Sequence, residues 1–248
     1  MKLLIVGHSH IHALKMAFEG NEYQNLSVDV VNLRAEENFS IFLYKDREDH
    51  EERTEIFKEL AKNVDAVCAS FFGTAYNLIG IANDPQPFDF IESNECKVRP
   101  LEKTTYIPHS LFEKQMHNYT RGIGKYLETL RNLTPMTVPI LNLESPPPVG
   151  SEEYIRNFSA HFSEKVENLG VSPPSVRRKI WKLHEKNIRG YCHETDIHYL
   201  TAPKEALNRE GLMKNKFCAP DPLHGNIAYG QLVLNNIVAT VQKLENAK

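Results

Sequence analysis

The 248 residues carry 29 basic and 32 acidic side chains, a net charge of −3, with 41% hydrophobic and 25% charged residues. This is the make-up of a folded domain long enough to bury a core without disulfides or a structural metal. A charge so near neutral, with no dense Lys/Arg block, argues against nucleic-acid or membrane-surface partners, and no run approaches the roughly 18 apolar residues of a membrane span.

The chain opens Met1-Lys2 and enters the apolar run Leu3 to Val6, which closes at Gly7. That run is much shorter than the core of a secretory leader, and Cys68, Cys96, Cys192 and Cys218 form no CxxC pair, so a reducing cytoplasmic location is expected. A helical pattern follows from Ile11 to Glu19, then a second apolar run from Val28 to Leu33. The spacing predicts a helix over Arg53 to Lys62 and a third strand over Ala66 to Phe72, closing at Gly73. Residues Asn83 to Ser110 contain four prolines and no clear period. A loop that long is functional or an inconsequential surface excursion, and one reading makes it a lid over the strand ends.

A helix is expected over Leu111 to Leu133 and a fourth strand over Val138 to Leu143, stopped by Ser145-Pro146-Pro147-Pro148. Two helices (Glu152 to Leu169, Ser175 to Arg189) precede a fifth strand near Ile197 to Leu200, and Ile227 to Leu244 forms the last helix. Arg177, Arg178, Lys179 and Lys182 surround the only tryptophan, Trp181, and read as a solvated basic face. Alternating strands and helices predict one α/β domain over 1–248, a three-layer αβα sandwich with a parallel five-stranded sheet and a lid or insertion near 83–110.

In such a sheet, ligands bind beyond the carboxyl ends of the strands. Strand one ends in Gly7-His8-Ser9-His10, which puts Ser9 at a helix N-terminus where free N–H groups favour developing negative charge. Read alone, Ser9 is as readily an N-cap. Strand three ends in Gly73-Thr74-Ala75-Tyr76-Asn77, whose asparagine amide can donate to an oxyanion or cap the next helix. Before the last helix stands Asp221-Pro222-Leu223-His224, where a carboxylate three residues ahead of a histidine can hold one ring nitrogen and free the other to accept a proton.

Together these blocks resemble the SGNH hydrolases, also called GDSL-like esterases and lipases: a serine after strand one (Gly7-His8-Ser9) and an Asp-x-x-His before the last helix (Asp221, His224). The resemblance implies a flavodoxin-like sheet and a serine hydrolase of carboxylic esters, such as an O-acetyl group on a carbohydrate or small metabolite. Ser9 would be the nucleophile, His224 the base and Asp221 its orienting acid, with Ser9, Gly73 and Asn77 forming the oxyanion hole. No cofactor, metal, nucleic acid or membrane enters that reading; the partner is the small-molecule or carbohydrate ester itself.

The chain departs from the family pattern in carrying His8 for the signature aspartate, Gly-x-x-x-Asn for the usual Gly-x-Asn-Asp, and no glycine at Asn32 to Asn38. His8, His10 and Tyr76 are expected to contact substrate, the two histidines at the pocket mouth, and a charged His8 would favour an anionic ligand. Two alternatives stand beside this reading. One is a metal-dependent hydrolase built on His8 and His10, drawing further ligands from His109, His193 or His198. The other is a catalytically silent SGNH-like domain that binds a carbohydrate or protein.

Overall fold

In a computed structural model of the chain, which describes residues 1–247 apart from 22, 36–38, 43–45, 72–74 and 93–99, strand β1 (Lys2–Gly7) is the second strand of a five-stranded sheet. Leu3, Leu4, Ile5 and Val6 are all fully buried. A strand apolar at every position can be buried only if both faces are covered, and side-chain alternation supplies the two faces. Leu3 and Ile5 join one core with Leu234 and Ile237, while Leu4 and Val6 join the other with Phe57, Leu127 and Leu130.

The sheet order is β2-β1-β3-β6-β7, with β2 (Ser27–Asn32), β3 (Ala66–Ser70), β6 (Ile140–Leu143) and β7 (His198–Leu200). Every pairing is parallel. This is the flavodoxin-like order, and it bears out the predicted five-stranded three-layer architecture. Helices α1 (Ile11–Glu19), α6 (Glu152–Asn157), α7 (Ser163–Leu169) and α9 (Ile227–Asn246) contribute buried residues to the first core. Helices α3 (His50–Lys62), α5 (His109–Leu133) and α8 (Pro174–Glu194) contribute to the second. Short helices α2 (Phe39–Phe42) and α4 (Ala75–Gly80) complete the set among the described residues.

Two expectations need correction. The single helix over Glu152 to Leu169 is two, α6 and α7, parted by a 3₁₀ turn at Ala160–Phe162 in which the Phe162 N–H bonds Ser159 O at 2.8 Å. Asn157 and Ser159, which readily bond local backbone, supply the break. The basic stretch on α8 is only in part a solvated face: Lys182 is exposed, but Arg177 is 2% and Lys179 6% exposed. Arg177 donates to the carbonyls of Ser172, Val149 and Gly150, and Lys179 bonds the Asp89 carboxylate and Phe90 O.

That ion pair also explains the irregular excursion. Its described part forms a small parallel pair, β4 (Phe88–Asp89) with β5 (Thr105–Tyr106), and buries Phe90 fully against Phe112. The segment is thereby anchored on α5 and α8. Cys68, Cys192 and Cys218 are free and buried; Cys96 lies outside the described residues.

Candidate active site

Gly7 ends β1 in close contact with β3: a Cβ there would stand 2.2 Å from Ser70 O. His8 N–H donates to that carbonyl at 3.0 Å, and the chain then turns, with Ile11 N–H on His8 O and His12 N–H on Ser9 O, both at 3.1 Å. The N-cap of α1 is His10, and no side chain caps the helix. Ser9 is therefore not spent as a helix cap. Its Oγ lies 2.8 Å from His224 Nε2.

His224 arrives from the other end of the chain on a loop closed by its own backbone. Ala219 N–H donates to His224 O at 2.9 Å, Asn226 N–H to Phe217 O at 2.9 Å, and Tyr154 Oη to Ala219 O at 2.6 Å. Asp221 Oδ1 accepts the amides of Leu223 (2.7 Å) and His224 (2.9 Å), an Asx-type turn that folds the carboxylate back over the ring. Asp221 Oδ1 and Oδ2 then meet His224 Nδ1 at 3.0 and 3.1 Å. Because a carboxylate can only accept, Nδ1 must carry the ring proton, leaving Nε2 to accept from the serine hydroxyl. Burial by itself would raise the Asp221 carboxyl; the His224 hydrogen bond and the two amides outweigh it and hold it below the usual range.

The two loops are held in register by their helices. Asn226 caps α9 by accepting the Tyr229 N–H at 3.1 Å. One turn into α9, Gly230 lies so near α1 that a Cβ would stand 2.1 Å from Ala13 O. Only a residue without a side chain lets the helices that follow Ser9 and His224 touch.

No protein-family model and no curated protein sequence matches the chain. Solved structures do. The periplasmic domain of a lipopolysaccharide acetyltransferase from Salmonella Paratyphi A superposes with a TM-score of 0.50 at 13% identity, over 97% of this chain and 83% of that one. A GDSL-like lipase from Bacteroides thetaiotaomicron gives 0.47 at 10% identity, over 98% and 88%. An acetyl-xylooligosaccharide esterase variant from Geobacillus gives 0.47 at 13%, over 97% and 93%. The fold is SGNH-like.

In this SGNH-like fold the Ser9–His224 contact opens onto a cleft of about 540 Å³. Its walls include His8, His12, Lys15, Asn32, Arg34, Ala219 and Pro220. Among the described residues nothing accepts the Ser9 N–H, so it can serve an oxyanion. The loop after β2 offers no such donor at 33–35. Leu33 N–H is bound to Gly7 O, Arg34 N–H to Asn32 Oδ1 and Ala35 N–H to Asn32 O. Gly73 lies outside the described residues. Asn77, 3% exposed, sits within α4 away from the cleft wall, and its Nδ2 has no acceptor among the described residues.

The expected substrate contacts divide. His8 lines the cleft, but burial, and secondly the charge of Arg34, lower its pKa to about 4, so it is neutral near pH 7 and attracts no anion. His10 is buried behind the cleft rather than at its mouth, with its ring centroid 5.0 Å from that of His224. Tyr76 is 1% exposed, donates its hydroxyl to Pro146 O and does not reach the cleft wall. Among the described residues no three His, Cys, Asp or Glu side chains stand close enough to share a metal ion, and no helix is long and apolar enough to cross a membrane. Arg34 and Lys15 were absent from the sequence-based site. Arg34 follows the carboxyl end of β2 and Lys15 lies three residues after His12 on the helix that follows Ser9; both signals were available.

Proposed function

We propose that this protein is a serine esterase in which Ser9 is the nucleophile, His224 the general base and Asp221 the residue that fixes and stabilises the imidazole. The observation that carries the reading is the unbroken hydrogen-bonded chain from Asp221 through His224 to Ser9 Oγ at the mouth of a cleft. As Oγ attacks the ester carbonyl, its proton passes to Nε2. The tetrahedral oxyanion takes the Ser9 N–H. Collapse expels the alcohol, which receives the proton from His224, and leaves Ser9 acylated. Water, deprotonated by the same imidazole, then releases the acid.

The substrate we put first is an O-acetyl ester of a carbohydrate or small metabolite. The location we favour is cytoplasmic, supported by three buried free thiols. The test is turnover of 4-nitrophenyl acetate with the reaction quenched in its first cycle. An acetyl group on the Ser9 peptide, absent in Ser9→Ala, supports the reading; steady hydrolysis by Ser9→Ala at the wild-type rate contradicts it.

A further inference from the structure

The charges on the cleft wall are unequal, although the chain as a whole is negative at −3. Lys15 and Arg34 line it against a single carboxylate, Asp221, which is already engaged by His224 and two backbone amides. No acidic side chain among the described residues pairs with Arg34. Lys15 has one partner, Glu19 at 3.7 Å, with side chains 51% and 54% exposed. Such a pair is worth little, and a ligand's anion can displace it. The remaining wall mixes the polar side chains of His8, His12 and Asn32 with apolar Ile11, Ala13, Val30, Ala219 and Pro220.

The arrangement has a direction. His12 and Lys15, three residues apart, form one line along α1 and both reach the cleft, as does Ser9 two residues before the helix begins. At about 1.5 Å per residue, Lys15 stands about 4.5 Å beyond His12 along the helix. Arg34 faces that line from the end of β2, the strand beside β1. Its charge is felt inside the site, since it contributes to holding His8 neutral. Two cations on the wall that also holds the nucleophile suit a ligand that presents an ester to Ser9 and an anion elsewhere in the cleft.

We infer that the cleft selects esters that carry a carboxylate or comparable anionic group, held by Arg34 and Lys15 while Ser9 meets the carbonyl. The inference rests on the esterase reading, because it names the substrate class of that same site. It assigns the anion-binding role expected of His8 to Arg34.

The test uses two pairs of esters matched in length and differing only in charge. Mono-4-nitrophenyl succinate against its methyl-capped diester puts the anion on the acyl side. The second pair, 4-acetoxybenzoate against methyl 4-acetoxybenzoate, puts it on the alcohol side. In at least one pair the charged ester is expected to have roughly tenfold higher kcat/KM, as a charge-assisted contact would give. That ratio should collapse toward one in Arg34→Gln with Lys15→Gln, and in high salt. Binding of the same four compounds to Ser9→Ala is followed in parallel by titration calorimetry.

Equal kcat/KM within both pairs, or a preference that survives both substitutions, overturns the inference and leaves the esterase intact. An equal fall on charged and neutral esters in Arg34→Gln also overturns it, and makes Arg34 a partner of the reacting carbonyl. If the wild type turns over none of the four yet Ser9→Ala holds the charged ester more tightly, and loses that margin with Arg34→Gln, the anion site stands and the esterase reading fails. Binding of none of them overturns both.

Discussion

Two histidines among the described residues hydrogen-bond a carboxylate through Nδ1, and they stand in opposite surroundings. His224 meets Asp221 at 3.0 Å, its side chain is 25% exposed, and its other nitrogen reaches Ser9 in an open cleft. His184 meets Glu185 at 2.8 Å, yet it is fully buried and its Nε2 has no partner among the described residues. Glu185 in turn accepts from Tyr199 Oη at 2.6 Å, and the same hydroxyl lies 2.8 Å from Glu144. One hydroxyl carries one proton, so both short contacts need a proton on a carboxyl. Burial first, and then the charge of Glu185, push the Glu144 carboxyl up in agreement. A histidine–carboxylate pair is thus common to the proposed catalytic arrangement and to a sealed one. What separates them is a hydroxyl on the far nitrogen and a path to substrate.

Replacing each acid tests that contrast most strongly. Asp221→Asn should lower kcat for 4-nitrophenyl acetate by roughly 10³–10⁴-fold, through loss of the productive tautomer. Glu185→Gln should leave kcat within a few-fold. Comparable losses in both would erase the distinction drawn here. In urea unfolding the ranking should reverse. His184→Ala, which takes from buried Glu185 the partner of its Oε1 and leaves only Tyr199, is expected to cost about 3 kcal/mol, whereas Asp221→Asn on the half-exposed loop should shift the midpoint little.

Gly230→Ala probes what aligns the reactive pair. The added methyl cannot fit against Ala13 O, so α1 and α9 must part. A loss of about 1–3 kcal/mol is expected, with a fall in kcat as Ser9 and His224 separate. Full activity would mean that the helix contact does not set the register of the two loops.

The smallest expected effect concerns acid. His8 is held at about 4, below its ordinary 6.5, so the unfolded chain binds a proton there that the folded chain refuses. Stability owed to this difference is fully present above about 6.5 and is lost as pH falls toward 4. In His8→Asn the decline of stability across that window should be shallower than in wild type, measured by denaturation at fixed pH steps. An unchanged slope would place His8 outside the acid response.

Most of the framework was legible because burial leaves plain marks. Leu3 to Val6 can only be a strand covered on both faces, and the helix periods set the layers on either side. Ser9, Asp221 and His224 were legible as strand-end and turn residues at fixed places in the topology. What stayed hidden depends on pairings between distant segments. Nothing local to Lys179 reveals that it is buried against Asp89, ninety residues earlier. Nor does the neighbourhood of His8 show the Phe71 and Tyr126 rings that help to bury it. Arg34 could have been found from its place after β2, but its weight in the site appears only when Lys15 is seen on the same cleft.

The account stands on Ser9 being activated by His224, and labelling with a fluorophosphonate, with the modified peptide located by mass spectrometry, tests that most directly. We predict modification at Ser9 in the wild type, abolished in His224→Ala and retained in His184→Ala. Failure of the folded wild type to react, or labelling of Ser9 that persists in His224→Ala, would contradict it.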